Sequence, residues 1–404
     1  MTEALDTLLK ERYNQLVAHF EIDWYDEEDE WSQEGRVKVF FPDDSNDLEY
    51  TIEEFLLYTE DLSSIRLESE SVCVCKGVTQ ILVTYGASLA PDISSRIYEN
   101  ESCQISLKKA PFLFGLINSQ RRNFDDDYGI YPASSYVALE IRYKDVERMN
   151  IDEELNLCKS VLYDISKDIG ESILIDKIYD IKAFESLLEG EDNIISNVGG
   201  PTRLNIETLP KYSPLMDMYG QALTAQDNEI AFLYYYKIIE SVGPIVAREK
   251  AYALLNSKLD LLSTMKRSQE YLDAIFDLAR NYDKSIHDSE IAVLVLEKCV
   301  DLISMKGFIP EIVKKKVAKS ENIRDIDAID YSKKYEDDFA KLRKGLAKVL
   351  YSTRNNIVHA KKNYSPTGSE CPLESLGDLN KFMSLLGNSI INWNDRLSDT
   401  LRYV

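Results

Sequence analysis

The chain has 404 residues, of which 44% are apolar and 29% charged, with a net charge of -23. This is the composition of a soluble globular protein with room for two domains. No stretch reaches the roughly 18 uncharged apolar residues that a membrane span needs, so no membrane association is expected. The first residues, with Glu3 and Asp6, lack the basic start and short apolar core of a signal peptide, and the expected location is cytoplasmic.

The chain opens with an amphipathic helix, because Leu5, Leu8, Leu9, Leu16, Val17 and Phe20 recur at helical spacing. An acidic run at 26–30 follows. Strand-like pieces rich in β-branched and aromatic residues come next at 37–41, 71–75, 80–85 and 137–143, with helices expected near 152–170 and 179–189. Residues 1–198 therefore read as an acidic α+β domain, sensing or regulatory in role. The segment 199–214, with Gly199-Gly200-Pro201, Pro210 and Pro214, reads as a linker.

From 215 to 404 the pattern is helical, and the fold class is an α+β domain followed by an all-α bundle. Asn228 is placed to cap a helix carrying Phe232, Tyr235, Ile238, Ile239 and Val242. Further helices are expected near 249–262, 267–281 and 288–305, with an irregular or only partly helical charged region at 309–334. A long helix carries Phe339, Leu342, Leu346, Val349, Leu350, Ile357 and Val358. A loop containing Pro366, Gly368 and Pro372 ends it, and a last helix carries Leu376 to Trp393.

Charge separates the two halves. Residues 1–200 hold 18 Lys+Arg against 42 Asp+Glu, and residues 201–404 hold 29 against 28. Phosphate binding requires cations, so any contact with RNA is expected in the second half.

The chemistry-bearing segment there is Arg354-Asn355-Asn356-Ile357-Val358-His359-Ala360-Lys361-Lys362. Asn355 and His359, four apart, share a helical face, and the Asn amide is expected to orient the imidazole. Histidine can carry protons near neutral pH, and arginine is always charged and grips two phosphate oxygens. These groups suit RNA cleavage by attack of the 2′-hydroxyl, with Lys361 and Lys362 holding the flanking backbone.

The Arg-x4-His pattern on a late bundle helix resembles the HEPN superfamily of ribonucleases. Phe232-Leu233-Tyr234-Tyr235-Tyr236-Lys237-Ile238-Ile239-Glu240 is similar to the aromatic-rich early helix of defence-associated HEPN domains, and the likeness spans about 215–400. It implies a HEPN-like bundle with Arg354, His359, Asn355 and Glu240 as site residues, Glu240 lying near the arginine. It also implies a homodimer with a composite active site and metal-independent cleavage of an RNA substrate, in antiviral defence or as a toxin. The N-terminal domain would then receive a protein trigger or inhibitor. The alternative is a catalytically inactive HEPN-like bundle that binds RNA or protein.

Competing readings are weaker. Arg280 and His287 form an Arg-x6-His pattern, but lie among acidic neighbours and lack the following lysines. Glu140-x-Arg142 on a strand faintly resembles restriction-type nucleases, without a convincing acidic partner upstream. The six cysteines form no Cys-x2-Cys pair and read as buried thiols. The acidic clusters at 26–30 and 125–127 could hold a hard cation but read as solvated faces or loops, and no phosphate loop or dinucleotide fingerprint is present, so neither metal nor cofactor is expected.

Overall fold

The computed structural model describes residues 3–20, 22, 32–33, 35–41, 48–83, 95–121, 136–144, 147–176, 201–264, 288–359 and 367–403. They form two units, Met1–Asp168 with Ile173–Leu209, and Ile169–Ser172 with Pro210–Val404. The first is α+β and the second all-α, as the periodicities require. The helix expected at 179–189 and the acidic runs at 26–30 and 125–127 lie outside the described residues.

The first unit begins with α1 (Glu3–Phe20), which buries Leu9, Tyr13, Leu16 and Phe20. A small antiparallel sheet follows: β1 (Ser32–Gln33), β2 (Arg36–Val39) and β3 (Leu48–Thr51). Thr51 caps α2 (Ile52–Tyr58) in a reciprocal capping box with Glu54. The main sheet holds β4 (Arg66–Ser69), β5 (Val72–Cys75), β6 (Val78–Val83), β7 (Arg96–Glu99), β8 (Cys103–Lys109), β9 (Val137–Tyr143) and β10 (Thr202–Asn205). Its order is β10-β7-β8-β9-β6-β5-β4, antiparallel except for the parallel β10–β7 pair. The segment read as a linker thus contributes an edge strand to this sheet.

Helices α3 (Phe112–Arg121) and α4 (Ile151–Ile169) complete the unit. Helices α1 to α3 share a core with Cys73, Cys75, Val78, Leu82 and Ala138 on one sheet face. Against the other face lies α4, whose buried Glu154 accepts from Thr79 and Tyr143. Arg148 donates two bonds to Glu154 and grips Glu68 with both terminal nitrogens. All six cysteines are buried free thiols.

The first sheet face carries a polar cluster at its centre. Glu140 is fully buried and accepts from Tyr58 (2.5 Å), Gln80 (2.7 Å) and Arg142 Nε (2.6 Å). Arg142 also reaches Glu54 at 2.6 Å, and Lys108 meets the same Glu54 oxygen at 2.5 Å. Both Glu140 oxygens are therefore committed within the fold, which removes the nuclease-like reading of Glu140-x-Arg142.

Burial pushes the Glu54 carboxyl up. The Lys108 charge and the hydrogen bonds from Lys108, Arg142 and the Thr51 N–H outweigh that and hold it at about 2. A depressed carboxyl stabilises the fold only while ionised, so its contribution is complete above its usual value of 4.5 and fades as the pH falls toward about 2. We predict that wild type exceeds a Glu54→Gln variant by about 3 kcal/mol at neutral pH. The gap should close across that acid window in urea titrations followed by circular dichroism.

The second unit contains α5 (Pro214–Thr224), α6 (Asn228–Thr264), α7 (Asp288–Lys298), the short α8 (Leu302–Met305), α9 (Glu311–Glu321), α10 (Glu336–His359) and α11 (Leu376–Asp395). The central α6 packs against α5, α7 and α11, and α10 packs against α7, α9 and α6. The two helices expected at 228–242 and 249–262 are one helix running through Pro244. That proline cannot donate to the carbonyl of Glu240, one turn earlier. Its neighbour Gly243 lets α7 approach, since a Cβ there would stand 2.1 Å from Ile291 Cγ2.

Asp227, rather than Asn228, caps α6, accepting from the Glu229 N–H. Asn228 instead receives Asn380 of α11 on its carbonyl at 2.9 Å. The charged stretch expected to be irregular or only partly helical contains α9, which buries Val313 and Val317 and ends at Asn322 in the left-handed region, φ 54°. Gly345 brings α10 onto α9, because a Cβ there would lie 2.7 Å from Val317 Cγ1. Among the described residues, one helix stretch, Asn228–Ser257, is long and apolar enough to cross a membrane, and its qualifying 18-residue window is 61% buried.

Candidate functional site

The acidic residues Glu336, Asp337 and Asp338 begin α10, and His359 ends it, both favourable to the helix dipole. Leu342, Leu346, Val349, Leu350 and Thr353 are its buried seam. The seam fixes the rotation of the helix and so the direction of every group near its end. Thr353 secures the end further. Its hydroxyl donates to the Val349 carbonyl at 2.7 Å and accepts the Cys371 N–H at 2.8 Å. The chain returning at Thr367–Cys371 is thereby tied to the turn that precedes Arg354. Sequence inspection did not single out Thr353, and its only local signal is a polar residue on an apolar stripe.

Arg354 is partly exposed and crosses to α6, where its Nη2 lies 3.3 Å from Glu240 Oε1. Its Nη1 donates to Asn355 Oδ1 at 3.1 Å. The arginine and the glutamate, 114 positions apart in the sequence, are thus brought together by the packing of α10 on α6. With Glu240 45% exposed the pair is a surface-type ion pair, not a buried one. A guanidinium has five N–H donors. Among the described residues one of them is donated to Asn355, and Nη2 faces the Glu240 carboxylate as an ion pair.

His359 is exposed on the last turn of α10. Asn355 stands one turn before it on the same side, but its amide oxygen is given to Arg354 rather than to the imidazole. Among the described residues Asn355 makes no hydrogen bond to His359, and its contact with Arg354 steadies the guanidinium. Five residues on an α-helix correspond to about 7.5 Å along the axis and about 140° around it. Arg354 and His359 of one chain do not share a helix face.

Lys361 and Lys362 lie outside the described residues, as do Arg280 and His287 of the alternative motif.

No protein-family model, curated protein or solved structure matches the chain. The function of this site therefore rests on its own chemistry.

Proposed function

We propose that the chain is an endoribonuclease of HEPN type, acting in the cytoplasm in antiviral defence or as a toxin. The observation that carries the reading is the placement of Arg354 and His359 at the end of one helix, with the guanidinium steadied by Glu240 from α6. In the proposed reaction the 2′-hydroxyl of the RNA attacks its neighbouring phosphorus, the 5′-oxygen leaves with a proton, and a 2′,3′-cyclic phosphate remains. His359 transfers protons, and Arg354 neutralises charge on the phosphorane. The angular separation of the two groups favours a homodimer in which a second copy completes the site, and the acidic N-terminal unit then receives a protein trigger or inhibitor.

The test is incubation of the purified full chain with mixed RNAs and a chelator, followed by analysis of the product ends. Cleavage to 2′,3′-cyclic ends is expected, and His359→Ala should reduce it by at least about 100-fold. Unchanged cleavage in that variant would remove His359 from the site.

One observation favours a second reading. Both terminal nitrogens of Arg354 are already engaged inside the chain, as they would be in a non-catalytic module binding RNA or protein. RNA binding that survives His359→Ala, with no cleavage under any trigger, would sustain it.

A further inference from the structure

Past its first turn, the exposed face of α10 carries no acidic residue. From Phe339 to His359 the helix contains Lys341, Arg343, Lys344, Lys348 and Arg354 and no acidic residue. Arg343 is turned aside toward the Phe339 ring and Glu297. The three lysines are exposed, and with the partly exposed Tyr351 and Asn355 and the exposed His359 they follow spacings of three or four residues. On an α-helix those six positions fall within an arc of about 80°. They therefore form one straight stripe, opposite the buried seam, that terminates at the histidine.

Among the described residues, Asp337 and Asp338 stand at the helix start and Glu321 of α9 lies beside Gly345. Lys341 pairs with Asp338 at 3.4 Å, and among the described residues Lys344 and Lys348 have no ion-pair partner. A helix face that only keeps a protein in solution mixes both signs at i, i+4 spacing. Helix α1 does so, with Lys10 3.2 Å from Asp6. The α10 stripe does so only at its first lysine, where Asp337 lies one turn before Lys341 and Asp338 pairs with it; from Lys344 to His359 it carries no acid.

We infer that this face is a track for the backbone of single-stranded RNA, with Lys341, Lys344 and Lys348 contacting successive phosphates and Asn355 and His359 at its end. The ligand follows from the ribonuclease reading above, on which the inference rests. Steps of three and four residues set the lysines about 4.5 and 6 Å apart along the axis, a row of single charges suited to one polyanionic strand. A stripe one residue wide does not fit the two flanking backbones of a duplex. The track also resolves how a chain of net charge -23 holds a polyanion, because cations are concentrated where the strand lies.

The experiment measures fluorescence anisotropy of a labelled oligouridine against the full-length His359→Ala chain over a range of salt concentrations. A second chain adds Lys341→Gln, Lys344→Gln and Lys348→Gln, and a third carries the three Lys→Arg changes. Three phosphate contacts on a single strand correspond to a loss of about 2 from the log–log salt slope. The glutamine chain should bind at least ten-fold more weakly with that smaller slope, and the arginine chain should keep both. The exposed lysines leave the buried seam untouched, so thermal unfolding should not move.

Unchanged affinity and slope in the glutamine chain would overturn the track. If a His359-intact chain nevertheless cleaves RNA, the ribonuclease reading stands without it. Loss of strand binding in the glutamine chain, with no cleavage by wild type under any condition, would keep the track and sink the ribonuclease reading. No oligouridine binding by any form would overturn the track outright.

Discussion

Replacing Arg142 by methionine is expected to destabilise the first unit by about 3–5 kcal/mol, the cost of leaving a buried charge without its partner. Glu140 is fully buried, and Arg142 is the cation that touches it. Tyr58 and Gln80 still donate to the carboxylate in that variant, but hydrogen bonds alone do not balance its charge. Burial, and then the Glu140 charge, push the Tyr58 hydroxyl well up, so it remains a donor throughout the accessible range. The double variant Glu140→Gln with Arg142→Met removes both charges and should recover much of the loss. Hydrogen exchange of the Val137–Tyr143 strand reads this unit separately from the helical one. Equal exchange in the single and double variants would show that the cost lies in packing rather than in the stranded charge.

Parts of the sheet around this cluster were hidden in the sequence, for different reasons. Strand β9 was legible because Val137 to Ile141 are all buried. Strand β8 pairs with it along its whole length, yet was missed. Cys103, Ile105 and Leu107 alternate with Gln104, Ser106 and Lys108 as in a strand, but the run holds no aromatic and only one β-branched residue to mark it. Strand β10 was hidden differently. Proline-flanked residues 202–205 look like a linker, and only a long-range parallel partner, Arg96–Glu99, makes them a strand.

Helices were more visible, since 3.6-residue periodicity is local. The exceptions have physical causes. Gly243-Pro244 reads as a break, yet the helix runs on through Pro244, which removes only the donor to the Glu240 carbonyl. Helix α9 buries its charged Lys314 alongside Val313 and Val317, which weakens the apolar stripe, and Asp327 holds that ammonium at 2.8 Å. At the candidate site, helical spacing placed Asn355 and His359 on one face, but it could not say which neighbour the Asn355 amide would choose. The lysine stripe was fully present in the spacing of residues 341 to 359. It becomes informative only once exposure separates Lys341, Lys344 and Lys348 from the half-buried Arg343.

On the ribonuclease reading proposed above, Arg354→Ala is expected to lower RNA cleavage by about 100- to 1,000-fold, the usual effect of removing one preorganised donor from a developing oxyanion. Glu240→Gln should lower it far less, by about ten-fold or below. The reason is geometric. Glu240 meets only one of the terminal nitrogens of Arg354, Asn355 holds the other, and the pair is exposed enough for water to compensate. An amide at 240 can still accept from Arg354, so position is largely kept while charge is lost. If the carboxylate instead restrains the arginine from reaching phosphate, Glu240→Gln should raise cleavage and tighten RNA binding. Measuring kcat and KM separately for the two variants distinguishes the cases. A loss confined to kcat in Arg354→Ala places the guanidinium on the transition state. A matching loss in Glu240→Gln would mean that the ion pair, rather than the arginine alone, is the working unit. Equal activity in wild type and Arg354→Ala would remove Arg354 from the chemistry and leave it as a surface ion pair between α10 and α6.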